Sequence, residues 1–246
     1  MPQPLLLERE DTEVGKPFMI VTHHPGAPCG AHFRALPGSE KPVLQMAEQI
    51  GRLHRIGAEE FAGMEGIVEW NYTAPQLRAS LNEYAATIAR HDVAPSAMIT
   101  QVIRWLDENA ERVASGAPRV LVHADVGFHN SLVDGDELSV ILDWELAHLG
   151  NPAYDLGYLR HAVSDAALWT RVMQHYHAAG GPAFDPGLVD YYNLFTGLWY
   201  HQIQLLARSW LLSGAVHEIE IAALTADFAP QIVAGMGMTL RRLLGS

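Results

Sequence analysis

Four polar side chains interrupt an otherwise apolar stretch of this sequence. His123 and Asp125 follow the run Val120-Leu-Val, and Asn130 lies five residues beyond Asp125. Asp143 lies eighteen residues beyond Asp125, at the end of the run Leu138-Ser-Val-Ile-Leu142. That set could carry out phosphoryl transfer. The reaction asks for a carboxylate to orient an attacking hydroxyl and accept its proton, which suits Asp125. It also asks for hard oxygen ligands that hold a divalent metal against the phosphates. Asn130 and Asp143 suit that role, because Mg²⁺ takes few protein oxygens and keeps several waters.

These residues need elements to place them. Arg119-Val-Leu-Val122 reads as a short buried strand that delivers His123 to a loop. Leu132-Val133 and Leu138–Leu142 read as two further strands, with a strong turn signal at Asp134-Gly135-Asp136 between them. Such a hairpin would bring Asn130 at its entrance close to Asp143 at its exit. If the second strand continues, alternation puts Glu145 on the face of Asp143, where it could add a carboxylate; otherwise it starts a helix. Two other readings stand beside this one. His123 and Asp125 could cap a turn, with Asp143 capping a helix. A metal-hydrolase cluster of His123, Asp125 and His129 is also conceivable, but it lacks the paired-His helix spacing and leaves Asn130 and Asp143 unused.

At these residues the chain resembles the aminoglycoside phosphotransferase family, kinase-like enzymes that phosphorylate small molecules. The family's loop reads His-Gly-Asp with Asn five residues after the Asp; here Ala124 takes the place of the Gly. The stretch Leu142–Gly157, LDWELAHLGNPAYDLG, is most similar to the branch fused to some acyl-CoA dehydrogenases. The resemblance implies an α+β, protein-kinase-like fold, ATP and Mg²⁺ as cofactors, and a small-molecule hydroxyl acceptor. It implies Asp125 and His123 as catalytic-loop residues, with Asn130 and Asp143 on the metal. The aspartate matching Asp155 supports the catalytic segment in that family; here it could equally cap the next helix.

Residues 10–26 resemble the last two strands of the family's N-lobe and its hinge, which implies adenine contacts near Thr22, His23 and His24. Helix Val43–His54 is similar to the helix after the hinge. The expected division is therefore 1–26, a remnant N-lobe hairpin, and 27–246, the helical C-lobe. The sequence shows no Gly-rich phosphate loop, and its only lysines, Lys16 and Lys41, do not sit mid-strand in an apolar run. That leaves open a non-catalytic kinase-like binding or regulatory protein, and a fragment or split half whose N-lobe partner supplies those groups.

Composition narrows the setting. The chain has 246 residues, 49% hydrophobic and 18% charged, which suits a globular protein with a substantial core. A net charge of −12 without a basic stripe argues against nucleic-acid or anionic-membrane partners. One cysteine, Cys29, excludes an intramolecular disulfide, and it reads as a small loop residue. With no signal peptide before Glu8-Arg-Glu10 and no spanning apolar run, a cytoplasmic protein is expected. The two-stranded hairpin would leave an unpaired edge, which makes a homo-oligomer plausible.

Residues 27–40 read as a Pro/Gly-rich linker, after which helices dominate. Stripes run Val43–His54, Leu77–Ile88 and Met98–Leu106, the third begun by Pro95. Later helices are expected at Asp155–Val163, Ala166–Ala178 with Asp165 as cap, Leu188–Leu212 and Val216–Leu244. The third is rich in rings, which reads first as core packing and second as the wall of an acceptor pocket. Arg208 on it could face an anionic substrate group. The thirteen histidines read mostly as surface or satisfied core groups, His54 among them.

Overall fold

The Asp134-Gly135-Asp136 signal does form a tight turn, with Gly135 at φ +64° in the left-handed region that glycine tolerates. It joins β7 (Ser131–Asp134) to β8 (Glu137–Ile141) as an antiparallel hairpin. The computed structural model describes residues 2–9, 15–31, 34–35, 38, 40–92, 96–114, 116–218 and 229–245.

Ahead of this hairpin lie β1 (Pro4–Glu8) and β2 (Phe18–Val21), paired antiparallel. Then come the two-residue strands β3 (Ala27–Pro28), β4 (Gly30–Ala31) and β5 (Arg34–Ala35). The segment expected as a plain linker thus carries strands, and β3 adds to the hairpin in the order β3-β7-β8. Gly26 makes this approach possible, because a Cβ there would stand 2.4 Å from the Val133 carbonyl oxygen. Strand β6 (Val120–Val122) pairs with β9 (His148–Gly150), a strand that the sequence pattern did not reveal.

The helices are α1 (Glu40–His54), α2 (Ala74–His91), α3 (Ala97–Ala114), α4 (Ala153–Arg160), α5 (Ala166–Ala178), α6 (Gly187–Ser213) and α7 (Ala229–Gly245). A capping box between Thr73 and Gln76 starts α2, and the Asp165 carboxylate caps α5 by accepting from the Leu168 N–H at 2.7 Å. Helix α6 is the central pillar. Tyr191, Tyr192, Leu194, Phe195 and Leu198 are all buried on it, packed by α2, α3, α4 and α7. Its ring-rich half is therefore core.

Three boundaries differ from expectation. The helix expected from Val216 begins at Ala229 among the described residues: Gly214 ends α6 at φ +73° and residues 216–218 are not helical. Helix α4 starts at Ala153, so Asp155 lies inside its first turn and is not its cap. Strand β8 stops at Ile141, and residues 143–147 form a turn closed by the Ala147 N–H on the Trp144 carbonyl. Glu145 is therefore neither on a continuing strand nor at a helix start, and it is exposed. The sequence also suggests a turn at Glu13-Val14-Gly15 in the first hairpin; of it Glu13 and Val14, like Pro95, lie outside the described residues. No described helix is long and apolar enough to cross a membrane.

Candidate active site

The loop after β6 is held from below by a single buried carboxylate. Asp155 has no exposed surface and accepts the backbone N–H groups of His123 at 2.9 Å and Ala124 at 2.7 Å. A third donor is His54, whose Nε2 lies 3.0 Å from Asp155 Oδ2. Burial alone would raise the Asp155 pKa, but the His54 hydrogen bond and charge and the His123 contacts outweigh it and hold the pKa below the usual carboxylate range. Asp155 is thus a positioning residue, and the capping alternative fails.

His123 is likewise buried and fully engaged. Its Nε2 donates to the Leu142 carbonyl at 2.9 Å, and its Nδ1 accepts the Asp125 N–H at 3.2 Å. Those partners fix one tautomer, because a carbonyl can only accept and an N–H can only donate. Neither nitrogen keeps a lone pair for a metal, which removes the His123, Asp125 and His129 metal cluster. Among the described residues there is no group of three His, Cys, Asp or Glu side chains able to hold a metal. His123 braces the loop and ties it to the end of β8.

Asp125 presents its carboxylate within a frame of donors. Tyr200 donates to Oδ1 at 3.0 Å and Asn130 Nδ2 to Oδ2 at 2.8 Å. His129 Nε2 lies 3.6 Å from Oδ2, and Tyr158 hydrogen-bonds Tyr200 behind the carboxylate. Burial raises the Asp125 pKa, and the hydrogen bonds from His129 and Tyr158, the His129 charge and the Tyr200 hydrogen bond pull it down to about 2. Asp125 is therefore ionised at neutral pH.

Asn130 and Asp143 are brought together by the hairpin. The Leu142 N–H donates to the Asn130 carbonyl at 2.7 Å, so Asp143 is one residue from that bridge. Asn130 Nδ2 is spent on the Asp125 carboxylate and carbonyl, which leaves Oδ1 as the atom able to meet a cation. Asp143 is exposed, forms no ion pair among the described residues, and sits at φ +60°. A non-glycine residue there is strained, a cost that tends to appear at functional positions. Ala124 shares the feature, at φ +69°.

In the segment expected as the hinge, Thr22 is partly committed: its N–H donates to the Gln3 carbonyl at 2.9 Å and its Oγ1 accepts the Gln3 N–H at 2.8 Å. Thr22 Oγ1 also lies 3.4 Å from His24 Nε2, while His23 is exposed. The segment then runs straight into β3 beside β7. Sequence reasoning placed His54 in the core, as found, but gave it no role at the loop, and it passed over Tyr158 and Tyr200 as site residues. For the tyrosines a signal existed, since a hydroxyl on a buried ring requires a partner. Cys29 is buried, with its N–H donating to the Ser131 carbonyl at 2.7 Å, and serves the core.

Large helical lobe, hairpin and braced loop together define a kinase-like fold, and known proteins agree. The chain belongs to the phosphotransferase enzyme family, APH, whose model matches residues 1–192. Acyl-CoA dehydrogenase family member 11 of Pongo abelii and of Homo sapiens are 29% and 27% identical over 168 residues, 64% of this chain. The chain spans about a fifth of the length of those curated relatives. A Ralstonia eutropha protein assigned as an aminoglycoside phosphotransferase matches with a TM-score of 0.73 at 16% identity, covering 98% of this chain and 78% of that one. The choline kinase LicA of Streptococcus pneumoniae gives 0.64 at 13%, covering 96% and 74%. A thermostable mutant of aminoglycoside phosphotransferase APH(4)-Ia, in ternary complex with ADP and hygromycin B, gives 0.60 at 19%, covering 100% and 78%. At such identities these likenesses establish the fold.

Proposed function

We propose that this chain transfers a phosphoryl group from Mg-ATP to a hydroxyl of a small molecule. The observation that carries the reading is the ionised Asp125 carboxylate, fixed by Tyr200 and Asn130 beside a hairpin that sets Asn130 against Asp143. Asn130 Oδ1 and the Asp143 carboxylate would hold Mg²⁺, a donor set of hard oxygens that fits an ion keeping several waters. When bound, the metal neutralises charge on the phosphates. Peptide groups at His23 and His24, with Thr22 turned towards Gln3, would meet the adenine edge. Residues 1–26 then serve as the N-lobe part and 27–246 as the C-lobe.

The low pKa of Asp125 shapes its role. A carboxylate near 2 is a weak base, so it works chiefly by orienting the hydroxyl and takes the proton late, as charge leaves the attacking oxygen. A small-molecule acceptor is supported by the neighbours, which include a complex with hygromycin B, a macrolide 2'-phosphotransferase and a choline kinase. The test is phosphoryl transfer from Mg-ATP across a panel of small alcohols, with Asp125→Asn beside the parent. Transfer should fall by at least a hundredfold in the variant, and unchanged transfer would defeat the assignment.

A second reading, binding without transfer, has its own observation. Lys41 pairs with Asp136 and Glu137 at the far turn of the hairpin and not beside Asp143. It requires Mg-dependent ATP stabilisation that Asp143→Ala abolishes, together with no transfer to any acceptor.

A further inference from the structure

A cavity of about 490 Å³ lies between the end of α4, the start of α5, α6 and α7. Arg160, His161, Ser164, Asn193, Thr239 and Arg242 line it, with apolar wall from Ile232 and Met238. Two guanidinium groups thus converge on one cavity in a chain of net charge −12. Arg160 sits 5.0 Å over the Trp169 ring and donates Nη1 to the Val163 carbonyl. Arg242 Nη2 donates to Asp190 Oδ1 at 2.8 Å. A guanidinium carries five N–H donors in a planar fork, so both side chains keep donors beyond these bonds.

The local charge is accounted for group by group. Burial and the nearby Arg242 lower the Arg160 pKa, while Asp190 and Asp165 act in the opposite sense. Asp190 is committed to Arg242 and Asp165 to capping α5. Burial pushes His161 down to about 4, and its Nε2 meets Thr196 Oγ1 at 3.1 Å, so it adds no charge at neutral pH. Asn193 accepts from Thr239 at 2.9 Å and donates to the Gly157 carbonyl at 3.1 Å, which fixes the cavity floor.

We propose that this cavity binds the anionic group of a small molecule, a carboxylate or phosphate, between the guanidinium groups of Arg160 and Arg242. Planar forks match such anions in paired hydrogen bonds, and an anion between them relieves the repulsion of two neighbouring cations. Arg208, the arginine that the sequence suggested for this purpose, is exposed and is not among the residues lining the cavity.

Helices α4 and α6 link the cavity to the Asp125 loop. Thr196 precedes Tyr200 by one turn of α6, and His161 follows Tyr158 by about one turn at the end of α4. The anion therefore belongs either to the acceptor itself or to a separate effector, and only the first source rests on the role proposed for Asp125.

Isothermal titration at low ionic strength with inorganic phosphate, glycerol 3-phosphate and glycerol tests the site. The two anions should bind and glycerol should not. Arg160→Gln and Arg242→Gln should each weaken both anions about tenfold or more. Asp190→Asn releases Arg242 and should tighten them, an outcome that misfolding cannot imitate. If Asp125→Asn weakens glycerol 3-phosphate alone, the anion is the acceptor's; if it alters neither, the anion is an effector's. Absence of phosphate binding by the parent, or equal binding by the two Arg variants, would overturn the proposal.

Discussion

At the scale of single residues, the site depends on two backbone conformations that side chains resist. Ala124 at φ +69° bears a left-handed cost of about 1–2 kcal/mol. Glycine would relieve it, but would forfeit a buried methyl worth about 0.8 kcal/mol and enlarge the unfolded ensemble by about 0.4–1 kcal/mol. Ala124→Gly should therefore change stability in urea by less than about 1 kcal/mol. Ala124→Val, with a branched Cβ in that conformation, should cost more than about 2 kcal/mol. Asp125 yields a second expectation. Its pKa is about 2 folded against about 3.9 unfolded, so between those values the unfolded chain binds more protons. Its contribution, about 2.6 kcal/mol, is present above pH 4 and lost as pH falls through 2. Chemical denaturation from pH 5 to 2 should show a shallower loss in Asp125→Asn than in the parent.

At the scale of elements, α4 and α6 fix the carboxylate from behind, and Gly157 lets them do so. A Cβ at Gly157 would meet the Asn193 nitrogen and the Tyr192 Cβ, both at 2.7 Å. Gly→Ala in a helix ordinarily gains about 1 kcal/mol. Here the helices would be forced apart, at about 1–3 kcal/mol for overpacking, and Tyr158 and Tyr200 would move with them. Gly157→Ala should thus lower the thermal midpoint, and also lower transfer activity at temperatures where the variant is folded. The elements also show what a sequence can display. His123, Asp125, Asn130 and Asp143 lie on the segments that lead into and out of one hairpin, so local spacing and turn chemistry were enough to relate them. His54, Tyr158 and Tyr200 reach the same loop from α1, α4 and α6; a buried ring hydroxyl signals that some partner exists, but the local pattern of a helix does not say which carboxylate, 101 residues from His54 or 75 from Tyr200, its polar group meets. Strand β9 escaped for a related reason: three residues paired with β6 carry no period long enough to read. Glu145 misled because alternation was extended past a strand that the left-handed Asp143 terminates.

At the scale of the whole molecule, one part stands apart from the core. The β1–β2 ribbon exposes Leu5, Leu6, Leu7, Met19, Ile20 and Val21 at 37–62% of their surfaces. Its strand character was legible, since apolar β-forming runs flank a glycine turn, but apolar residues on both faces give no hint of which face is covered. A two-stranded ribbon in water is marginal by itself, because it buries too little apolar area to offset chain entropy. Helix α6, largely buried from Leu188 to Ala207, belongs to the most stable unit. Hydrogen exchange on this chain at low micromolar concentration should therefore find β1–β2 amides exchanging within seconds while those of α6 stay protected for hours. The contrast should narrow if the concentration is raised enough for exposed leucines and open strand edges to pair between copies, and sedimentation velocity would then show a dimer. Because β2 leads through Thr22, His23 and His24 into β3, ordering the ribbon also orders the hinge. Protection of β1–β2 and the strength of Mg-ATP binding should accordingly rise together, and protection that rises with no change in nucleotide affinity would show that the hinge does not serve the nucleotide.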